Sequence, residues 1–313
     1  MTVFLSTLNQ MGFLFVLIVA GFLITKFKVI SSSASSLLSK LENNLFIPCL
    51  VLSTFISNFT VEKLSVAGSF FVVGAVVILI TAPLAIVLAK VCSKDRYIRN
   101  IYTYGLAFSN FGFMGNAVVK ALFPEIFMEY LIFVLPFWIL IYVWGVPELL
   151  VPSDKEIRTV KDRFKSLVNP MFIAMLIGMI IGLSGLKIPD FLSGAIGTLG
   201  DCMSPIAMLI TGITIAKIDL KKAIKNVSVY IVSVIRLLVI PIVAILVLML
   251  IPTDNSLAMC VVCSLAMPLG LNTIVVPSAY GSDTTVAAGM ALISHILSCA
   301  TIPLIFTLFE QLL

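Results

Sequence analysis

Residues 265–281, LAMPLGLNTIVVPSAYG, combine helix-breaking residues with an amide side chain in a strongly apolar part of the chain. Pro268 and Pro277 cannot donate a backbone hydrogen bond, and each disfavours helix at the residue before it. In a lipid environment an interrupted helix is tolerated only where protein or a water-filled cavity satisfies the freed backbone groups. The N-terminus of a half-helix offers N–H groups and a positive dipole end to an anion. Because Asn272 adds a neutral donor and acceptor between the prolines, this stretch predicts part of an anion-binding site.

The composition is that of an integral membrane protein. Of the 313 residues, 60% are apolar and only 11% are charged, whereas a soluble domain carries about 25% charged residues. Apolar runs of about 20 residues, long enough to cross a bilayer, recur along the chain. The net charge of +5 is spread over short loops, which indicates a lipid bilayer and no nucleic acid as partner. Met1 to Thr25 contains no Lys or Arg, so we interpret it as a retained first span rather than a signal peptide.

Ten predicted spans and the distribution of basic residues give a topology. Lys and Arg number 16 in the odd-numbered loops and three in the even-numbered loops, with none at either terminus. Because cytoplasmic loops are enriched in basic residues, we predict cytoplasmic odd loops and two extracellular termini. The predicted spans cover residues 3–25, 41–58, 66–91, 101–120, 128–150, 167–185, 191–216, 226–251, 256–280 and 284–312.

A constant shift of 157 residues indicates an internal duplication. The shift places Pro48 on Pro205 and Asn44 on Asp201, so each proline has a polar residue four positions earlier. Five spans in each half give the second half the opposite orientation, an inverted repeat that is common among secondary transporters. The predicted fold class is an all-α polytopic membrane protein of ten transmembrane helices. It divides into a first repeat at 1–150, a cytoplasmic loop at 151–166 and a second, inverted repeat at 167–313.

The same shift pairs the ninth span with residues 108–124 of the fourth span, FSNFGFMGNAVVKALFP. This stretch is rich in glycine and asparagine, so both corresponding spans are predicted to be broken and to cross. For the ninth span alone, a simple proline kink is the alternative. Inverted repeats place substrate near the membrane midplane, where discontinuous helices meet. The predicted substrate-binding residues are Asn110, Gly115, Asn116, Pro268, Asn272 and Pro277.

Polar residues within the other spans are candidates for coupling or ion pairing. Asp201 is interpreted either as a proton or cation site, with Asn44 as its counterpart, or as a carboxylate at a helix end. His295, the single histidine, is either a hydrogen-bonded core residue or a proton relay. Arg236, deep in the eighth span, implies a buried ion-pair partner or an anionic substrate. Glu42 is interpreted as marking the cytoplasmic end of the second span.

Three stretches of the chain resemble the auxin efflux carrier family. Residues 110–124 (NFGFMGNAVVKALFP) are similar to its fourth span, residues 267–281 (MPLGLNTIVVPSAYG) to its ninth and residues 199–212 (LGDCMSPIAMLITG) to its seventh. The family includes bacterial permeases for malate and related dicarboxylates and the plant PIN auxin exporters. The chain departs from the family pattern where Ala117 replaces a proline and Pro124 a terminal glycine, and Pro277 is additional to it.

The resemblance implies more than the spacing of residues can. It implies that spans four and nine cross, and that spans one, two, six and seven form a scaffold. Spans three to five and eight to ten would form a mobile transport unit that works by elevator-type alternating access. It further implies a homodimer in the cell membrane that carries a small organic anion such as malate, another carboxylate or an auxin-like acid.

Two other functions remain open from the sequence. A cation/proton antiporter or a bile-acid-type sodium symporter uses the related fold, but an antiporter predicts a carboxylate at the crossing, where this chain has asparagines. An intramembrane enzyme is disfavoured because Ser294 and His295 are adjacent, about 100° apart on a helix, and HExxH and GxSxG motifs are absent. Cys260 and Cys263 have no accompanying ligand cluster, so we expect no metal or other cofactor. Proton or sodium coupling stays open.

Overall fold

The computed structural model describes residues 3–31, 34–151, 159, 167–217 and 225–312. Most of the predicted loop 151–166 therefore lies outside the described residues. A π-helical segment, Glu42–Phe46, joins the helices Ala34–Leu41 and Ile47–Asn58 without a break. In chain order the helices are Val3–Lys26 (α1), Ala34–Leu41 (α2), Ile47–Asn58 (α3), Val61–Cys92 (α4), Arg96–Ala107 (α5), Phe111–Leu122 (α6), Pro124–Leu150 (α7), Pro170–Ser184 (α8), Asp190–Ala216 (α9), Val227–Leu248 (α10), Asn255–Ala266 (α11), Asn272–Ala279 (α12) and Thr285–Leu312 (α13).

Six of these helices are long and apolar enough to cross a membrane: α1, α4, α7, α9, α10 and α13. Large apolar side chains on them are exposed, as on α4 where Leu79 is 65% exposed, which suits a face in contact with lipid. The prediction of a polytopic helical membrane protein is therefore confirmed. The remaining predicted spans coincide with shorter helices, namely α2 with α3, α5 with α6, α8, and α11 with α12. The ten-span inverted repeat itself stays a prediction.

Short polar side chains fix where several helices begin. Asp95 accepts a hydrogen bond from the backbone N–H of Ile98 and starts α5. Asn169 and Asp254 cap the first turns of α8 and α11 in the same way. These side chains satisfy N–H groups that have no partner within the helix. These helices thus begin at residue types that are typical N-caps and can be recognised in the sequence.

Glycines allow α1 and α9 to pack with their backbones in contact. A Cβ atom on Gly212 would lie 1.9 Å from the carbonyl oxygen of Ile18, and one on Gly21 would lie 2.3 Å from that of Leu209. Helices without a hydrophobic driving force between them associate through such small residues. Alongside this pair, α3 packs against α8 and the first half of α9. The four predicted scaffold spans are thus neighbours, although α1 also packs against α13.

Substitution of Gly212 tests this packing. We expect G212A to destabilise the protein by about 1–3 kcal/mol, because the methyl group overlaps the α1 backbone and the helices must separate. The matched control is G12A on α1, where a Cβ atom would have nothing within 4 Å. Thermal unfolding in detergent measures both variants. Equal stability of G212A and wild type would contradict the close approach of the two helices.

Candidate functional site

The interruption between α5 and α6 lies against the interruption between α11 and α12. The backbone N–H of Asn110 donates to the carbonyl of Pro268 at 2.7 Å, and Ser109 and Leu269 form an antiparallel bridge. Asn110 and Pro268 therefore come together as two predicted site residues on separate breaks. Pro277 does not join them, because it lies inside α12 and its carbonyl accepts hydrogen bonds at the end of that helix.

Serine side chains satisfy further backbone groups that the breaks expose. The Ser109 hydroxyl donates to the carbonyl of Ser264 at 2.7 Å. The N–H of Leu269 donates to the hydroxyl of Ser294 at 3.3 Å. Ser294 thus accepts a hydrogen bond from the broken backbone, which gives it a structural role at the second break.

Asn110 also joins the fourth predicted span to α13 through its side chain. Its Nδ2 lies 3.1 Å from Nε2 of His295, and Nδ1 of that imidazole lies 2.7 Å from the carbonyl oxygen of Ala291. Because a carbonyl oxygen only accepts, Nδ1 carries the hydrogen and Nε2 accepts from the Asn110 amide. His295 is 1% exposed, so it is a hydrogen-bonded core residue adjoining the break. Whether it relays protons stays untested.

Asn272 is the first residue of α12 and is only partly buried. Its Nδ2 donates to the phenolic oxygen of Tyr104, on α5, at 2.9 Å. Sequence reasoning did not identify Tyr104, although it precedes the first break by less than two turns and is a large polar aromatic residue in an apolar segment.

Arg236 binds the carboxyl-terminal ends of both helices that precede the breaks. It is 0% exposed and belongs to a π-helical turn, Ile235–Val239, within α10. Its Nη1 donates to the carbonyl of Leu106 at 2.9 Å, its Nη2 to Ser264 at 3.2 Å and its Nε to Met267 at 3.3 Å. Carbonyls at helix C-termini lack partners within the helix and carry a partial negative charge. The guanidinium group therefore satisfies and neutralises two half-helix ends together.

The contacts of Arg236 bear on one of the alternatives drawn from the sequence, a buried ion pair. Among the described residues, the ion pairs are Lys63 with Glu129 and Lys120 with Asp201, and neither involves Arg236. Backbone carbonyls occupy three of its five N–H groups instead. The sequence alone predicted that Arg236 lies deep within the eighth span. It could not predict the acceptors, because every residue has a backbone carbonyl.

Glycines at the first break leave room for aromatic side chains to pack directly against the backbone. A Cβ atom on Gly112 would lie 2.4 Å from the ring of Trp138, and one on Gly115 would lie 2.3 Å from the Tyr130 hydroxyl. Tyr130 donates to the carbonyl of Phe111 at 3.2 Å. Asn116, one residue further, is 3% exposed, and its Oδ1 has no hydrogen-bond partner in the described part of the chain. Gly115 thus serves ring packing, whereas Asn116 retains a free acceptor.

A small cavity lies where the two breaks meet. Its volume is about 20 Å³, and it is lined by residues 109–113 and 270–272 with Tyr104, Trp138 and Ile141. That space holds about one water molecule. The first residues of α6 and α12 therefore line a common space that is too small for larger molecules in this conformation.

Trp138 lines a second cavity of about 150 Å³ as well. This second cavity, which we call the Asn43–Asn44 cavity, is also lined by Asn43, Asn44, Tyr142 and Asn169. Trp138 stacks on Tyr142 with ring centroids 6.0 Å apart. One indole ring thus borders both spaces, a role that sequence reasoning missed although Trp138 is one of two tryptophans.

Asp201 and Asn44 lie away from the two breaks. Asp201 Oδ1 accepts from Lys120 Nζ at 2.6 Å, its side chain is 70% exposed, and both residues line a separate cavity of about 380 Å³. Asn44 donates to the carbonyl of Lys40 at 2.8 Å. The structure therefore brings Asn110, Asn272, Pro268, Arg236 and His295 together around the breaks, but not Asp201 or Asn44.

Removal of the Arg236 donors tests their structural importance. We expect R236M to lose about 1–3 kcal/mol for each carbonyl left buried without a partner. The stability of R236K should lie between those of R236M and wild type, because an ammonium group cannot reproduce the planar array of donors of a guanidinium group. Thermal unfolding in detergent measures the series, with R96M, at an exposed arginine of α5, as control. Wild-type stability of R236M would contradict the assigned role.

Comparison with known proteins adds the family. A family model described as membrane transport protein matches residues 6–306, nearly the whole chain. The matched region includes both breaks and Arg236. No curated protein matches the chain. Because the match covers far more than half of the sequence, the chain belongs to this membrane transport family, the auxin efflux carrier family, whose members are transporters and not enzymes.

Proposed function

We propose that the protein is a secondary active transporter of a small organic anion that binds where the two breaks meet. The observation that carries the proposal is the arrangement of half-helix ends at the pair Asn110 and Pro268. The first turns of α6 and α12 line the shared cavity, and the C-terminal ends of α5 and α11 are occupied by Arg236. Membership of a membrane transport family supports the general class.

The electrostatics of this arrangement favour a negative cargo. Helix N-termini contribute partial positive charge at the cavity, while the guanidinium group neutralises the opposing negative ends. Asn110 and Asn272 supply hydrogen-bonding groups without adding charge. Among the described residues that line the cavity, none is acidic, which weighs against a cation as cargo. A carboxylate such as malate, or an auxin-like acid, is the proposed substrate class.

The size of the cavity requires a conformational change for binding. About 20 Å³ is too small for a dicarboxylate. Trp138 lines both this space and the larger Asn43–Asn44 cavity, so we propose that movement of its indole ring joins the two. We propose elevator-type alternating access, in which spans three to five and eight to ten move against spans one, two, six and seven. The positions Asn110 and Met267 at the two breaks are related by the 157-residue shift, which supports the inverted repeat and the crossing of spans four and nine.

We further propose a homodimer in the cell membrane with both termini extracellular. The distribution of basic residues supports the orientation, and the family resemblance supports the dimer. Coupling to a proton or to sodium belongs to the same proposal. A bile-acid-type sodium symporter or a cation/proton antiporter is the alternative that the transport experiment must separate.

Uptake into proteoliposomes tests the proposed substrate class. We expect wild-type protein to accumulate at least one member of a panel of radiolabelled carboxylates under an imposed pH gradient. Sodium-driven uptake in place of pH-driven uptake would favour the symporter, and the absence of carboxylate transport under both gradients would overturn the proposal.

Substitution of Asn272 tests the location of the site. We expect N272A to reduce uptake about ten- to a hundredfold, because a hydrogen bond to a charged substrate contributes about 1.5–3 kcal/mol. The control is N255A, at an exposed residue in the first turn of α11. Normal uptake by N272A would remove Asn272 from the proposed site.

Substitution of Asp201 tests its candidacy as the proton site. We expect D201N to retain accumulation on a pH gradient, because the carboxylate is 70% exposed and paired with Lys120, and exposed pairs contribute little. The ratio of internal to external substrate at steady state is the measurement. A ratio of one in D201N, with wild-type accumulation in K120Q, would instead assign proton coupling to Asp201.

A further inference from the structure

The sequence suggested that Glu42 marks the cytoplasmic end of the second span, and the structure adds that its side chain is buried within the bundle. Glu42 is the first residue of the π-helical segment Glu42–Phe46, and its side chain is 0% exposed. Both carboxyl oxygens lack a hydrogen-bond partner among the residues that the structure describes. A buried polar group without a partner is rare in native proteins and calls for an explanation.

The helices around Glu42 provide no nearby countercharge. The segment packs against α2, α3, α8 and both halves of α9. Neither of the two ion pairs among the described residues includes Glu42. The titratable groups on these packed elements are Lys40, Asp190, Asp201 and Lys217, which are all exposed, and Cys49 and Cys202, which are partly buried. Lys217 donates to the Ser35 hydroxyl.

A second buried glutamate of the bundle, unlike Glu42, has a cationic partner. Glu129 is 7% exposed, and its Oε1 lies 2.5 Å from the Nζ atom of Lys63. Within the described part of the chain, Glu42 has no such cation. Burial of an unpaired carboxylate is so unfavourable that the group takes up a proton instead. The acid form of Glu42 is therefore the form that fits this conformation.

The residues next to Glu42 line a cavity that offers a route to water. The next two residues, Asn43 and Asn44, line the cavity of about 150 Å³ that also reaches Trp138. Glu42 thus faces the protein interior, while its immediate neighbours face a space next to the proposed substrate site. π-helical turns contain an extra residue and occur frequently at functional sites. A rotation of roughly a quarter turn about the axis of this wide turn would bring the carboxyl group into the cavity that Asn43 and Asn44 line.

We propose that Glu42 is the proton-binding site that couples substrate transport to a pH gradient. The proposal rests on the proposed transport function. In the conformation described, the carboxyl group holds its proton away from water. When the segment turns toward the Asn43–Asn44 cavity, the O–H bond breaks and the proton passes to water; the carboxylate takes up a proton from water again before the segment turns back into the interior.

Infrared spectroscopy tests the protonation state without any transport. We expect the spectrum of purified wild-type protein in lipid at neutral pH to contain a protonated-carboxyl C=O band that shifts in D₂O. E42Q should lack this band. The controls are E129Q, which removes a paired carboxylate, and E62Q, which removes an exposed one; both should retain it. A spectrum in which E42Q changes only carboxylate bands would overturn the proposal.

Transport under separate gradients tests the coupling. We expect E42Q to take up substrate only down its own gradient, so that a pH gradient no longer raises the internal concentration above the external one. E42D, which keeps a carboxyl group, should retain part of the accumulation. Concentrative pH-driven uptake by E42Q would overturn the proposal, as would a loss of sodium-driven rather than pH-driven accumulation. If wild-type protein transports no carboxylate, the proposed function fails, while the infrared result still decides whether Glu42 carries a proton.

Discussion

The hydrogen bonds from Arg236 to three backbone carbonyls are the interaction on which the centre of this structure depends. Each helix that stops inside a bilayer leaves carbonyls unpaired, at a cost of several kcal/mol for each group that finds no partner. One guanidinium group donates to Leu106 at the end of α5 and to Ser264 and Met267 at the end of α11. A single cation thus allows two helices to end side by side.

This use of Arg236 determines how charge is distributed around the breaks. Its positive charge lies against the negative ends of α5 and α11, so it is already compensated. The opposite side of the breaks carries neutral groups, including Asn110, Asn272 and the Nδ1-protonated imidazole of His295. The remaining positive character at the cavity comes from the helix N-termini of α6 and α12. The proposed anion would therefore bind through fixed dipoles rather than through a mobile side chain.

The sequence predicted where the helices break better than it predicted what the polar residues contact. Asn110 and Pro268 occur in stretches whose composition excludes a regular helix, and both lie at the observed breaks. Pro277 was assigned to the break from its residue type, yet it lies inside α12, where proline is tolerated. Glu42 comes directly after the basic first loop in the sequence, and this position suggested that it marks a membrane boundary. Its burial arises from helices more than 100 residues away in sequence, α8 and α9, which periodicity within one helix does not report.

The absence of a proline at Ala117 is explained by the pairing of the two breaks. In the fourth predicted span the interruption forms without proline, because the N–H of Asn110 bonds to Pro268 of the other break instead of to its own helix. The carbonyl of Asn110 then accepts from both Met114 and Gly115 as the chain re-enters a wide helical turn. Ala117 follows within α6 and is 4% exposed. The proline of the ninth predicted span therefore serves both breaks. Its own carbonyl oxygen accepts the hydrogen bond from the Asn110 backbone N–H, which keeps the chain at Asn110 out of a regular helix.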